Sequence, residues 1–164
     1  MSVERVLTVA YAFQNWTESG KDNHGQAVEI FLKFVWLKAG QPWCAAFVSY
    51  VGWYGCYNHV TKKSTWPVPR TGGCAVLGDY AKQHALLERT PEVGDVFLIW
   101  FPALNRFAHT GFITQVHPDG SCTTLEGNTN TDGSRNGWGV FERTRTFKSA
   151  DRFVRWTKVL PKPS

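Results

Sequence analysis

The sequence predicts an α+β domain, with N-terminal helices packed on an antiparallel sheet of about five or six strands. Three observations lead there. Apolar residues recur at helical spacing through the first half of the chain, and from Pro91 onward short apolar runs alternate with turn residues. The chain is 164 residues long, 43% hydrophobic and 15% aromatic, enough for one folded domain over residues 1–164 with a sizeable core.

Val3, Val6, Leu7, Ala10 and Phe13 give residues 3–16 the period of a first helix. The same stretch imitates a leader, because Val6-Leu7-Thr8-Val9 runs into Ala10-Tyr11-Ala12, which looks like a signal-peptidase site. Its apolar run is too short and Glu4 interrupts the basic region, so the expectation is a helix and no signal peptide. Residues 17–25 form a polar loop. Ala27, Val28, Ile30, Phe31, Phe34 and Val35 predict a second helix ending near Ala39-Gly40. The third helix is the one the rest is arranged around. Pro42 suits its first turn, where a missing N–H costs nothing, and Ala45, Ala46, Phe47, Val48, Tyr50 and Val51 make it apolar nearly all round. Gly52 or Gly55 closes it. Residues 58–73 read as irregular and residues 75–87 as a weaker fourth helix.

The turn Pro91-Glu92-Val93-Gly94-Asp95 launches a strand over 96–101. A second strand over 108–116 turns at Pro118-Asp119-Gly120-Ser121 into a third over 122–128. Residues 129–137 are a long polar loop, and strands over 140–146 and 153–159 complete the sheet.

Cys44 falls in the opening turn of the third helix, where unpaired N–H groups and the positive end of the helix dipole favour a thiolate. The residue by itself is equally readable as a small buried hydrophobe. His109 begins a strand and shares a face with Gly111, so no neighbouring side chain crowds its ring; it is either structural or a base for the thiol. Glu126 and Asn128 stand two apart at the end of the next strand, and the hairpin returns both to the level of Thr110-Gly111, within reach of His109. They are either strand-end turn formers or the third group that fixes an imidazole beside a thiolate.

The remaining composition narrows the classes. Net charge is +5 with an isoelectric point near 9.1, which suits an anionic polymer or a solvated basic surface. The basic residues are scattered until Arg143, Arg145, Lys148, Arg152 and Arg155, and no nucleic-acid-binding motif accompanies them. No apolar run is long enough to span a membrane. Cys44, Cys56, Cys74 and Cys122 include no C-x-x-C pair; they read as free thiols, a Cys56–Cys74 disulfide being the alternative. Asn128-Thr129-Asn130-Thr131-Asp132-Gly133 imitates a calcium loop, but its first ligand is Asn and its twelfth position is Gly139, so no metal is expected, nor any cofactor.

Taken together these segments resemble CHAP-type cysteine, histidine-dependent amidohydrolases/peptidases of the NlpC/P60-like, papain-like group. Trp43-Cys44-Ala45-Ala46-Phe47-Val48 resembles the nucleophile segment, residues 91–97 the P-x-x-G-D-[VI]-F turn, and residues 108–113 the His strand. Leu125-Glu126-Gly127-Asn128-Thr129-Asn130 with Gly133-Ser134-Arg135 resembles the third-residue segment. Cys56 and Cys74 are outside the family pattern. The resemblance implies a single CHAP-like catalytic domain with a papain-like fold, acting on amide bonds of peptidoglycan stem peptides. It implies Cys44 as nucleophile, His109 as general base and acid, Glu126 as orienter of the ring and Asn128 as a polar contributor. The peptidoglycan hydrolase it implies is an endolysin, an autolysin or an effector, the last with an immunity or inhibitor protein as partner. It would be made in a bacterial or phage-infected cytoplasm and would act on the wall after release. Two other classes stay open: a thiol-dependent toxin that cleaves or deamidates proteins, and a non-catalytic wall-binding module.

Overall fold

The computed structural model describes residues 2–130 and 137–159. The expected α+β architecture is present: among the described residues, four α-helices come before a six-stranded antiparallel sheet. The helices are α1 (Val3–Tyr11), α2 (Gln26–Phe34), α3 (Cys44–Gly55) and α4 (Cys74–Gln83). A two-stranded hairpin, β1 (Tyr57–Asn58) and β2 (Lys63–Ser64), separates α3 from α4. The sheet consists of β3 (Leu87–Glu88), β4 (Val96–Phe101), β5 (Arg106–Val116), β6 (Cys122–Thr129), β7 (Gly139–Arg145) and β8 (Arg152–Val154), in the order β3-β8-β4-β5-β6-β7.

Helix α3 lies at the centre of the core. Nine of its twelve residues are buried, as its apolar sequence requires. Val96, Leu98, Phe112, Leu125 and Val140 from the sheet join Val6, Phe31, Phe47 and Val51 from the helices in one cluster. Strand alternation sends Phe97, Ile113, Cys122 and Phe153 to the other face, where they form a second, smaller cluster. Glycines let α3 sit this close. A Cβ on Gly52 would lie 2.2 Å from the Trp66 ring, and one on Gly55 would lie 2.7 Å from the Val6 backbone. The helix ends at Gly55, the second of the two expected stops.

Several boundaries differ from the sequence expectation. Helix α1 stops at Tyr11 instead of 16 because the following backbone pairs with β7: Asn15 N–H donates to Val140 O at 2.8 Å, and Val140 N–H to Trp16 O at 2.8 Å. Helix α2 stops at Phe34, well before Gly40. Trp36 turns left-handed at φ 60°, and the Leu37 and Trp36 N–H groups return to Leu32 O and Lys33 O. Pro42 precedes the N-cap Trp43 of α3 and is therefore outside the first turn. The irregular stretch after α3 contains the β1-β2 hairpin, whose tip is held by the Asn58 side chain accepting from Val60 and Thr61 N–H. Helix α4 ends at Gln83, and Leu87, expected as its last residue, instead opens β3 (Leu87–Glu88). The final strand is only Arg152–Val154 and gives way to a 3-10 turn over Trp156–Val159. Its partner β3 is two residues long, and Trp156 is pinned instead by its indole N–H to Gly94 O at 2.8 Å. Of the expected loop at 129–137, Thr129 belongs to β6. Residues 131–136, with Gly133-Ser134-Arg135 of the resemblance, lie outside the described residues.

Candidate active site

Cys44 is the first residue of α3, and no side chain caps the helix there. Trp43 sets its position. The Trp43 ring is buried, stacks on Phe31 at 5.7 Å, and donates its indole N–H to Glu18 Oε1 at 2.8 Å. Gly127 of β6 admits this end of the helix, since a Cβ there would lie 2.7 Å from both Trp43 and Phe47. The Asn128 amide, oriented to satisfy both its atoms, accepts from Trp43 N–H at 3.1 Å and donates to Gly137 O at 2.8 Å. Asn128 thus holds the backbone that leads into Cys44 and forms no bond to the imidazole. The pairing of β6 with β7 slips between Glu126 and Thr129, and Asn128 has φ 54°, so the period-two rule that put it beside Glu126 does not apply.

His109 and Glu126 meet across β5 and β6, with Nε2 and Oε2 2.7 Å apart. Gly111 makes this possible: a Cβ on it would approach Glu126 Cγ at 3.0 Å, so its bare backbone leaves space for the glutamate as well as for the ring. Glu126 is fully buried and carries three further bonds. Arg145 from β7 grips both its oxygens, through Nε to Oε1 and a terminal nitrogen to Oε2 at 2.6 Å, and Thr124 donates to Oε1. Burial opposes charge on Glu126, but Arg145 and His109 outweigh it and bring the carboxyl to about 2. Burial also opposes charge on His109, yet Cys44 and Glu126 overcome it and raise the imidazole to about 9.

Cys44 has a second neighbour that the sequence reading did not connect to it. Cys74, the first residue of α4, places its Sγ 3.6 Å from Cys44 Sγ. The Cys44 thiol is held well below its usual value, first by Cys74 and then, against burial, by His109 and the Ala45 amide. Cys74 moves the opposite way, well above the usual thiol range, because the Cys44 sulfur beside it and burial both disfavour a second thiolate. All four cysteines are free, so the Cys56–Cys74 bridge is not formed.

Cys44, Cys74, His109 and Arg145 line one cleft of about 350 Å³, together with Gln41 and Arg106. Among the described residues no carboxylate side chain lines it. Nor do the described residues include a group of three or more His, Cys, Asp or Glu arranged to hold a metal ion. A thiol of lowered pKa, an imidazole of raised pKa and a buried carboxylate on the ring's far nitrogen can together carry nucleophilic acyl transfer. Arg145 and Cys74 are the participants that sequence reasoning missed. Arg145 was visible only as one of a run of basic residues, and Cys74 only as a cysteine with no assigned role.

The family model of the CHAP domain matches residues 36–128. That span runs from Trp36, just after α2, to Asn128 and takes in Cys44, Cys74, His109 and Glu126, while Arg145 lies beyond it. No curated protein and no solved structure matches the chain.

Proposed function

We propose that this chain, which belongs to the CHAP-domain family, hydrolyses amide bonds in peptidoglycan stem peptides through Cys44. CHAP domains are generally hydrolases. The observation that carries the reading is the 2.7 Å contact of the buried Glu126 carboxylate with the His109 ring, which lines the cleft that Cys44 opens onto.

With Nε2 engaged by Glu126, Nδ1 of His109 is the nitrogen left to exchange a proton with Cys44. The resting site is a Cys44 thiolate beside a His109 imidazolium. The thiolate adds to the scissile carbonyl, and the oxyanion forms at the uncapped N-terminus of α3, where the Cys44 N–H can donate to it. His109 then gives its proton to the leaving amine as the C–N bond breaks, leaving a thioester. It next takes a proton from water, whose oxygen attacks the thioester and releases the acid and the thiolate. Glu126 keeps the ring oriented and stabilises its charge throughout. The Arg106 guanidinium at the cleft and the lack of a carboxylate among its described lining residues suit a substrate that carries carboxylates, as stem peptides do. The domain is then a single catalytic unit that acts on the wall after release from the cell that made it.

Digestion of purified walls, followed by mass spectrometry of the soluble muropeptides, tests the proposal. New amine and carboxyl termini at one stem-peptide bond are expected. Protein cleavage or glutamine deamidation without wall products would favour a protein-modifying enzyme. Failure of the active-site thiol to react with iodoacetamide would favour a binding module.

A further inference from the structure

Cys74 has no part in the acyl-transfer steps, yet it is built against the nucleophile. The two sulfurs are 3.6 Å apart, each on the first residue of a helix, and both line the same cleft. A disulfide needs about 2.05 Å, so the sulfurs must close by roughly 1.5 Å. The other thiols are elsewhere. Cys56 follows the far end of α3, about 18 Å away along the helix. Cys122 is packed among Phe97, Ile113 and Phe153 in the smaller cluster.

We propose that Cys74 is the resolving thiol of Cys44, so that a peroxide converts the pair to a reversible Cys44–Cys74 disulfide that switches the site off. In the first step the Cys44 thiolate attacks one peroxide oxygen. An S–O bond forms as the O–O bond breaks, giving the sulfenic acid, and with a proton the departing oxygen becomes water. In the second step Cys74 Sγ attacks Cys44 Sγ. The S–S bond forms, the S–O bond breaks, and the hydroxyl leaves with the Cys74 proton as a second water. Two thiols lose two electrons and hydrogen peroxide is reduced to two waters. The opposed titration of the two sulfurs gives one thiolate to attack the peroxide and one thiol poised beside the product. Without Cys74 the sulfenic acid would stand open in the cleft to further, irreversible oxidation.

The loss of activity rests on Cys44 being the nucleophile, whereas the disulfide needs only the two adjacent thiols, and the experiment reads them separately. The full chain is treated with a small molar excess of hydrogen peroxide, then examined without reductant by intact mass and peptide mapping. A mass loss of two hydrogens and a Cys44–Cys74 linked peptide are expected. Wall clearing should fall by about tenfold or more and return with dithiothreitol. In Cys74→Ser, the same treatment should give Cys44 sulfinic acid, and dithiothreitol should restore less than about a tenth of that variant's own starting activity. Sulfinic Cys44 in the native chain, a linkage to Cys56 or Cys122, or a disulfide-linked dimer would overturn the proposal. So would equal recovery by native and Cys74→Ser proteins. Should the variant fail to fold, the native peptide map decides alone. A Cys44–Cys74 disulfide in a chain whose reduced form clears no wall would leave this inference standing and overturn the proposed function.

Discussion

Glu126 is the residue whose charge does most for the site, because it is fully buried and bound at once to His109, Arg145 and Thr124. Its proton equilibrium and that of His109 set opposite ends of a pH window. Glu126 is held at about 2 against an ordinary 4.5, so its contribution to stability is complete above 4.5 and is lost as pH falls towards 2. His109 is raised to about 9 from 6.5, so its contribution is complete below 6.5 and is lost as pH rises through 9. Wall lysis should therefore show an alkaline limb near 9, the point at which the imidazolium is lost. Glu126→Gln removes the charge that holds this proton. It should lower kcat on the order of 10²-fold or more and move that limb downward, with a loss of about 3 kcal/mol in denaturant unfolding from the unpaired Arg145. Asn128→Ala should slow the reaction less and leave the limb in place, since Asn128 bonds the Trp43 backbone and not the ring. If Asn128→Ala shifts the limb and Glu126→Gln does not, the amide is the orienter. Cys44→Ala should abolish lysis while the melting temperature stays within a few degrees, as a small buried position accepts Ala. Residual lysis by purified Cys44→Ala protein would refute the nucleophile assignment.

At the scale of elements, the site is a meeting of one helix end with two strands. Helix α3 brings Cys44 in over β6, where Gly127 gives the clearance, and β5 and β6 bring His109 to Glu126 through Gly111. Gly127→Ala would press a methyl group into Trp43 and Phe47, which the core cannot absorb without shifting the start of α3. Its expected cost is about 1–3 kcal/mol, or a fall of roughly 2–12 °C in melting temperature, with a larger proportional loss in kcat than in KM. Unchanged thermal stability would show that the helix end has slack. By contrast, a Cβ at Gly120 meets nothing within 4 Å. Gly120→Ala strains only a backbone at φ 83°, and it serves as a control for stability loss without displacement of Cys44.

The whole molecule carries a net charge of +5, and its substrate under the proposed function is an anionic polymer. Lysis rates should fall as salt rises from 0.05 to 0.5 M, about as expected when the Debye length shrinks below 10 Å. A rate independent of salt would remove long-range charge from the account. Arg106 contributes to the same effect at short range. Arg106→Ala should raise KM for wall fragments several-fold with little change in kcat, because it faces the cleft and lies outside the His109–Glu126–Arg145 bonds. A fall in kcat at constant KM would count against a role in substrate binding.

What the sequence determined by itself was local and periodic. The apolar run of 45–51 made α3 a buried helix with Cys44 at its start, and alternation together with the Pro118-Ser121 turn paired β5 with β6. That pairing, read from strand period and turn chemistry, was enough to bring Glu126 within reach of His109. Tertiary structure decided what periodicity cannot reach. Asn128 lines the cleft with His109 but bonds the Trp43 backbone and not the ring, because β6 bulges there and a bulge breaks the period on which the expectation rested. The ends of α1 and β8 were set by partners distant in sequence, β7 and the short β3, while α2 ended at the left-handed turn of Trp36. Arg145 and Cys74 joined the site from 19 residues after Glu126 and 30 after Cys44, through contacts that carry no local sequence signal. A buried charge and a buried thiol find their partners by the packing of whole elements, and only the folded chain brings those elements together.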